Sequence, residues 1–482
     1  MDPNEPLANG ERPDSMRAYD KADSTRIGMI LGICVSILVA IGALIVTITS
    51  FTSSYLAFEA NPIVAQIIPL AFNAVVSVCT DVLSYAHSVS LRWALYREGR
   101  LDYNSNLRLF TSAKKCKLNK WPTNILSAVM LIISYTAANQ TVLIYKDKEY
   151  NFHFINFNPV ALLMLTVSFL GQILIAFFCM RQAKRQVWTW SSNAPNAALA
   201  QLSKGRLTPA TRLGSTSSGH GNDDDTVSNR PQKQEPMAGS STSTKRIAWF
   251  LAVMLGVCIA FAGLIAGLTA ANHQADEMSF FVNPTTNRTS NEIQFHGVVE
   301  IDVLPKSPNV SFILLGFIMF IWGTAFQTIV TLTLHCIELI VNTSRDEAQW
   351  RAASGSKGAR LSVNPIISAI SSWQWWVLFT LKPLVQWLFG TASMSLGQQG
   401  VGDPIVWFNC VPLFVLSVVV AVLLGFVLLL VYSKPKGRQP AVYGHLQTMV
   451  DLVDDWGTEK NEKLFWNTKK GKVGVKTENS LG

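Results

Sequence analysis

Lysine and arginine residues alternate strictly along this chain, and no other feature of the sequence constrains the fold as much. Eight apolar stretches are joined by connections that are in turn rich in these residues and nearly devoid of them. A hydrocarbon core roughly 30 Å thick needs about 20 apolar helical residues to cross it. The sequence therefore predicts an all-α, polytopic membrane bundle of eight transmembrane helices, over residues 27–49, 63–89, 123–145, 160–180, 247–271, 311–341, 366–389 and 405–433.

The orientation of the bundle follows from the same alternation. The two terminal segments and every second connection together hold 35 of the 40 Lys and Arg residues. Because basic residues are retained on the cytoplasmic side, both termini are predicted to be cytoplasmic. The least apolar of the predicted helices is the seventh, which contains Lys382, but without it the basic tail would lie on the wrong face. The lipid bilayer of the plasma membrane, or of another secretory-pathway membrane, is the expected environment.

The chain divides into five segments on this reading. They are a cytoplasmic tail (1–26), a first four-span half (27–180), a linker (181–246), a second four-span half (247–433) and a cytoplasmic tail (434–482). The linker is rich in Ser, Thr, Gly, Asn and Pro and is predicted to be disordered, since it has few apolar residues to offset chain entropy.

The C-terminal tail contains one stretch, residues 441–456, that is predicted to form an amphipathic helix. Its apolar face comprises Val442, Leu446, Met449, Val450, Val453 and Trp456. The acidic opposite face disfavours anionic lipid, so the helix is predicted to dock on the basic cytoplasmic connections or on a cytoplasmic protein partner. The contact residues for such a partner would be Leu446, Met449, Val450 and Val453.

The two halves are related in sequence. At an offset of 254, Ala71-Phe72-Asn73 in the second span corresponds to Ala325-Phe326-Gln327 in the sixth. At an offset of 245, Asn158-Pro159 corresponds to Asp403-Pro404. Each half would begin on the cytoplasmic side and cross four times. This pattern favours two parallel four-helix repeats about an axis along the membrane normal.

Polar residues within the spans are the candidates for a functional site. A charge in hydrocarbon costs about 3 kcal/mol or more, so Asp81, Glu338 and Lys382 each need a partner or water. Asp81 and His87 lie at a depth similar to that of His335 and Glu338, and these four are predicted to meet near the inner leaflet. The pattern suits a metal or a proton relay. Alternatively, the inner ends of two long helices reach the headgroups, where such residues need no explanation.

Three further polar positions are open to two interpretations. Asn73 and Gln327 lie nearer the midplane, where amides form interhelical hydrogen bonds that fix register, or line a permeation path. Lys382 precedes Pro383, which removes a backbone donor, so that the freed carbonyl requires protein or a wet cavity. Alternatively, Lys382 extends to the interface within a belt of tryptophans.

Known catalytic motifs are not found, and neither an enzymatic activity nor a cofactor or metal ion is predicted. The basic residues that give the net charge of +9 lie at the cytoplasmic ends of the predicted spans, so nucleic acid is not a predicted partner. Sequons at Asn139, Asn287 and Asn309 fall on the predicted outer side, which predicts a glycoprotein modified most readily at Asn287. The sequon at Asn342 is cytoplasmic and is predicted to stay unmodified.

Three stretches resemble a family of uncharacterised fungal multi-span integral membrane proteins. They are SLRWALYREGRLDYNSNLRLF, LHCIELIVNTSRDEAQW and PAVYGHLQTMVDLVDDW. The resemblance covers most of the chain apart from the tails and the linker. It implies a fungal source and a membrane location, and it adds no activity.

Two classes of function remain open. The first is a translocator of a small solute or an ion, favoured by the related halves and the interrupted seventh span. The second is a non-transporting membrane scaffold or receptor-like protein that acts through cytoplasmic partners. The depth of Asp81, Glu338 and Lys382 distinguishes them, because a shared cavity favours transport and a position among the headgroups favours a scaffold.

Overall fold

The structure is a computed structural model of the chain. It describes residues 19–52, 58–147, 153–183, 187–209, 234–240, 242–272, 278, 285–286, 293–294, 299–302, 312–361, 368, 371–396, 405–437, 439–453, 456, 463–467 and 472–476.

Helices make up most of the described chain, and the long ones form a single bundle. Seven helices in the described residues are long and apolar enough to cross a membrane. They are α1 (Asp23–Thr52), α2 (Pro62–Glu98), α3 (Trp121–Thr141), α4 (Pro159–Ala183), α7 (Thr242–Ala271), α8 (Phe312–Arg351) and α10 (Cys410–Tyr432). The shorter helices α5 (Ala194–Leu202), α6 (Met237–Ser240) and α11 (Leu446–Leu452) lie at one end of the bundle.

The remaining long helix, α9 (Trp373–Ala392), is less apolar than the others because it contains Lys382 and two glutamines. Twenty residues of α-helix extend for about 30 Å, the thickness of a hydrocarbon core. The helix α9 packs between α2 and α8 and also contacts α3 and α10. It is therefore an interior helix of the bundle.

At two predicted helix ends the chain forms a strand instead. The third span was expected to reach residue 145, but α3 ends at Thr141 and the chain continues as strand β2 (Val142–Asp147). The last span was expected to begin at residue 405, where the chain forms strand β9 (Ile405–Phe408) before α10 begins. Hydropathy does not separate the two structures, because runs such as VLIY and IVWF are both apolar and strand-forming.

The helices of the two halves pack in the same order. In the first half, α1 contacts α2 and α4, and α4 also contacts α2 and α3. In the second half, α7 contacts α8 and α10, and α10 also contacts α8 and α9. Between the halves, α3 packs against α8 and α2 packs against α9. The second helix of each half thus packs against the third helix of the other half.

Each half also carries an antiparallel sheet of the same strand order at one end of the bundle, which we call the strand face. In the first sheet, β3 (His153–Phe157) lies between β1 (Phe58–Ala60) and β2. In the second, β9 lies between β6 (Val299–Asp302) and β8 (Ser393–Leu396). The first sheet is extended by β4 (Thr285–Thr286) and β5 (Ile293–Gln294).

The last helix of each half begins at an asparagine in the same arrangement. The Asn158 backbone N–H donates to the Thr141 carbonyl at 2.9 Å, and that of Asn409 donates to the Ala392 carbonyl at 2.9 Å. Both side chains accept from the N–H two residues later. Asn158 and Asn409, at an offset of 251, thus make equivalent contacts, whereas Asp403, the predicted match of Asn158, lies outside the described residues. Pattern matching chose Asp403 because a proline follows it.

The Lys- and Arg-rich connections gather at the other end of the bundle, which we call the basic face. The Asp20 backbone N–H donates to the Asn196 side chain at 2.9 Å, and that of Asn104 donates to the Gly444 carbonyl at 2.9 Å. The Trp350 indole donates to the Pro440 carbonyl at 2.9 Å. The described parts of both tails, the linker and two connections therefore form one layer. A small sheet joins it, with β10 (Lys463–Asn467) between β7 (Ala359–Arg360) and β11 (Lys472–Lys476).

Part of the predicted disordered linker is ordered. All nine residues of α5 are buried against α8 and α11, and Trp190 before it is buried as well. The sequence APNAALAQL is rich in alanine, which packs closely at little side-chain entropy cost. Averaging the composition over residues 181–246 hid this segment, because residues 210–233, which lie outside the described residues, are the most polar.

The C-terminal tail forms a shorter helix than predicted. The helix α11 replaces the expected helix 441–456, because Tyr443 and Gly444 adopt positive φ angles of 46° and 78° and turn the chain before it. Leu446, Met449 and Val450 are buried, as is Val453. These four side chains pack inside their own chain. They are therefore not available as the contact surface for a protein partner, and the tail docks on the basic connections.

Candidate functional site

Three helices bring opposite charges together inside the bundle. The Lys382 ammonium on α9 forms ion pairs with the carboxylates of Asp81 on α2 and Glu338 on α8. The other carboxylate oxygen of Glu338 accepts a hydrogen bond from Nδ1 of His335, at 2.9 Å. We call Asp81, His335, Glu338 and Lys382 the charged cluster. It contains residues of both halves, since α2 belongs to the first and α8 and α9 to the second.

The charged cluster lies deep in the bundle. Lys382 is the tenth of the 20 residues of α9, so about 15 Å of helix separates it from each end. Its side chain is 6% exposed, whereas that of Asp81 is 45% exposed. The ammonium is thus held in the interior by its partners and does not extend to the interface, and Asp81 is the accessible member of the cluster.

A cavity of about 450 Å³ leads from the charged cluster to the basic face. Its walls come from α1, α2, α8 and α9, and its mouth is formed by the connection after α2 and the end of α8. Polar lining residues at the mouth are Arg92, Asn104, Ser105, Asn106, Ser192, Arg345 and Asp346, and Arg108 lines the wall farther in. The volume falls within the range of roughly 300–1,000 Å³ that is common for small-molecule sites.

Pro383 interrupts the backbone hydrogen bonding of α9 beside this cavity. Proline lacks a backbone N–H, so the carbonyl four residues earlier, that of Phe379, receives no helical hydrogen bond. Phe379 lines the cavity wall next to Lys382. The interruption of α9 therefore removes one helical hydrogen bond next to Lys382.

A layer of amides closes the bundle between the charged cluster and the strand face. The Gln327 side chain donates to Thr331 Oγ1 at 3.0 Å and to the Gln386 amide, and it accepts from Asn139 at 3.0 Å. A Cβ at Gly390 would lie 2.9 Å from the Asn139 side chain, so glycine allows α9 to approach α3 here. These contacts link three helices from both halves.

Asn73 does not take part in the amide layer. Its amide nitrogen donates to the Pro69 carbonyl on its own helix at 3.0 Å. Its oxygen is buried with no hydrogen-bond partner among the described residues. The matched positions 73 and 327 therefore have different contacts, and only Gln327 joins helices.

His87 does not join the charged cluster. Its Nε2 donates to the Leu118 carbonyl at 3.1 Å, and its Nδ1 accepts from Arg108 at 2.9 Å. Both ring nitrogens are thus used in fixing the connection after α2. Of the four residues predicted to meet, Asp81, His335 and Glu338 gather around Lys382, whereas the His87 side chain lies on another face of the same helix.

Sequence reasoning missed the polar residues at the mouth of the cavity. Asp346 and Arg345 follow Glu338 by about two helical turns and lie on the same face of α8. The predicted span ended at residue 341, although the helix extends to Arg351. Continuing the helical periodicity beyond the predicted membrane boundary would have identified them.

Arg108 connects the mouth to the interior. Its guanidinium donates to Ser127 Oγ at 3.0 Å as well as to His87. Burial lowers the pKa of Arg108, and the negative charges of Glu338 and Asp81 act against that shift. Arg108 therefore supplies a second positive charge close to the charged cluster.

The structure describes one of the three asparagines predicted to be glycosylated. Asn287 and Asn309 lie outside the described residues. Asn139 lies in α3. Its amide nitrogen, the atom to which a glycan would be attached, donates a hydrogen bond to Gln327 inside the bundle. This position disfavours modification of Asn139. Asn342 lies on α8 at the wall of the cavity.

No group of three or more His, Cys, Asp and Glu residues able to hold a metal ion occurs in the part of the chain that the structure describes. Comparisons with family models, curated proteins and solved structures found no match. The chain is an integral membrane protein by the length and composition of its helices, and the class of function has to be argued from the cavity and the charged cluster.

Proposed function

We propose that the chain crosses the membrane eight times, as two parallel four-helix repeats with both termini cytoplasmic. The same order of helix packing, the same strand order in the two sheets and the matching asparagines at the last helices support the repeat. The gathering of basic connections on one face supports the orientation. The helix α9 is then the seventh crossing.

A protease-protection experiment tests this topology. In sealed inside-out vesicles, a C-terminal tag and an N-terminal tag are both expected to be digested by added protease, because both tails lie on the basic face. A tag inserted between residues 400 and 401 is expected to survive, since it follows α9 on the other side. Digestion of the C-terminal tag alone would show an odd number of crossings and refute the proposal.

We further propose that the protein translocates a small solute or an ion. The observation that carries this proposal is a charged cluster at the closed end of a cavity that leads to the basic face. Charges in a membrane interior are expensive and usually mark substrate or ion pathways. A scaffold that acts through its surface does not require charges in the membrane interior. Its tail would also expose an apolar face to a partner.

The position of Lys382 suggests how the halves would be coupled. Lys382 and Glu338 belong to the second half and Asp81 to the first. A cation or proton that binds to the accessible Asp81 would compete with Lys382, which then pairs with Glu338 alone. Occupancy of the cavity would therefore weaken a contact between the halves, and movement between repeats is a common basis of alternating access.

Neutralising one carboxylate at a time tests the translocator proposal. In purified protein reconstituted into liposomes, Asp81→Asn and Glu338→Gln are each expected to reduce solute uptake by at least about tenfold, because the amide keeps the size and loses the charge. The readout is uptake across a broad panel of labelled solutes and ions, with vesicle insertion measured in parallel.

Asp102→Asn is the matched control, because Asp102 is an exposed carboxylate outside the cavity on the basic face. It should retain wild-type uptake. Equal uptake by Asp81→Asn, Glu338→Gln and wild type would refute a role of the charged cluster in transport. Absence of uptake of every solute by the wild type would favour the scaffold function instead.

A further inference from the structure

Two arginines at the mouth of the cavity have unused hydrogen-bonding capacity. Arg92 donates to the Ser191 carbonyl at 2.7 Å, and Arg345 makes a long contact of 3.5 Å with the Asn342 side chain. The Nε of each guanidinium is buried away from solvent with no hydrogen-bond partner among the described residues, so a ligand in the cavity that both arginines line would be bound by their terminal N–H groups. An arginine offers five N–H donors, so both guanidiniums can bind a further acceptor.

The carboxylate nearest to these arginines is already engaged. Asp346 is buried and accepts hydrogen bonds from the Asn104 amide at 2.9 Å and the Ser105 hydroxyl at 3.0 Å. Its charge attracts those of Arg92 and Arg345. One carboxylate therefore faces two guanidiniums, which leaves one positive charge uncompensated at the mouth.

The whole cavity has the same imbalance. Its walls contain three carboxylates, at Asp81, Glu338 and Asp346, and four permanent cations, at Arg92, Arg108, Arg345 and Lys382. A buried charge without a partner is costly, so a bound anion would stabilise the protein. The arginine pair at the mouth is the place where an anion would find free donors.

The rest of the wall between the arginines and the charged cluster is largely apolar. Met29 from α1, Val82 from α2, and Leu378 and Phe379 from α9 line it, and Ser84, Tyr85 and Ser88 of α2 add hydroxyl groups. An inorganic ion would leave this surface in contact with water. The wall suits an apolar body attached to the anionic group.

We propose that the cavity binds an organic anion whose carboxylate or phosphate group lies between Arg92 and Arg345 and whose apolar body lies along α2 and α9. This proposal names the substrate class of the proposed translocator. It rests on the translocator function, because without transport the anion is a ligand and not a substrate. The anionic group can belong to a soluble metabolite or to a lipid of the inner leaflet, since the same donors bind both.

Ligand-dependent thermal stability of the purified full-length protein tests the proposal without any transport step. In phosphatidylcholine nanodiscs, the anion 3-phenylpropanoate is expected to raise the unfolding temperature saturably, whereas neutral 3-phenylpropanamide and cationic 3-phenylpropylamine are not. Arg345→Gln should raise the apparent Kd by roughly tenfold or more, the effect of losing charged hydrogen bonds. Arg97→Gln, an exposed position on the same helix as Arg92, is the matched control.

A second arm replaces part of the phosphatidylcholine with phosphatidate and adds no soluble probe. Stabilisation by phosphatidate alone that is lost in Arg345→Gln identifies a lipid as the source of the anion, and stabilisation by 3-phenylpropanoate identifies a soluble solute. If the amide stabilises as well as the anion, or if neither anion acts through Arg345, the proposal is overturned. Binding with no uptake in liposomes would leave this site in place and refute only the translocator function.

If Arg345→Gln proves unstable without ligand, Arg345→Lys replaces it, because lysine keeps the charge and loses the planar set of donors. The apparent Kd for 3-phenylpropanoate is then expected to rise less than for glutamine. An unchanged apparent Kd in both Arg345→Lys and Arg92→Lys would also count against the site.

Discussion

Lys382→Met is expected to lose most of the yield of folded protein, while Asp81→Asn and Glu338→Gln are expected to keep it. Removing the ammonium leaves the two carboxylates close together in the bundle without their shared cation, and only Glu338 keeps a partner, the His335 ring. Breaking a buried ion pair by removing one partner costs about 3–5 kcal/mol, which is a large part of the stability of a typical domain. Removing either carboxylate leaves Lys382 paired with the other, so the expected cost is small.

The measurement is the yield and thermal unfolding of each variant after extraction in a mild detergent, followed by size-exclusion chromatography. The control is the triple variant Asp81→Asn, Glu338→Gln, Lys382→Met, in which no unpaired charge remains. It should recover folded protein and remain inactive in uptake. If Lys382→Met alone is as stable as the wild type, the three side chains do not depend on one another and the charged cluster is not a unit.

The membrane class and the helix positions were predictable from the sequence, because they depend on averaged quantities. Hydropathy over about 20 residues and the distribution of basic residues are insensitive to single contacts. The strands at the ends of α3 and before α10 were missed for the same reason, since the average does not separate strand from helix. The buried helix α5 was missed because its composition was averaged with that of the polar residues of the linker.

The candidate site was predictable only in part. The spacing of His335 and Glu338 and the alignment of position 81 with position 335 placed three residues correctly on two helices. The contribution of Lys382 could not be read from the sequence, because it depends on α9 packing between α2 and α8. At the offset of 251, the counterpart of Lys382 is Leu131, which is buried and apolar. Only one of the two corresponding positions carries a charge, and no local pattern reveals which contacts it makes.

Docking of the C-terminal tail depends on both polar and apolar contacts with the basic face. One carboxylate oxygen of Glu347 on α8 accepts from the backbone N–H groups of Val442 and Tyr443 at 2.9 and 2.8 Å. Leu446 is fully buried in the cluster that joins α5, α8 and α11. In the described part of the tail, the apolar side chains of α11 are therefore buried.

Leu446→Asp is expected to detach the tail from the basic face while the membrane bundle stays intact. A carboxylate at this position would be buried among apolar side chains with no partner, at a cost of about 3 kcal/mol or more. Limited trypsin digestion in inside-out vesicles should then cleave the tail at least about tenfold faster, since Lys434 and Lys436 precede the docked segment and cleavage follows the population of the open form.

Asp451→Asn, which changes one unit of charge at an exposed position of the same helix, is the control and should leave the cleavage rate near that of the wild type. Val453→Asp, at the other end of the buried face, should behave like Leu446→Asp. Because the tail contacts Asn104 through Gly444, and Asn104 also holds Asp346 at the mouth of the cavity, detachment should weaken binding of the organic anion as well. Fast cleavage of the wild-type tail, equal to that of Leu446→Asp, would show that these contacts do not persist in the membrane and that the apolar face is free for a partner.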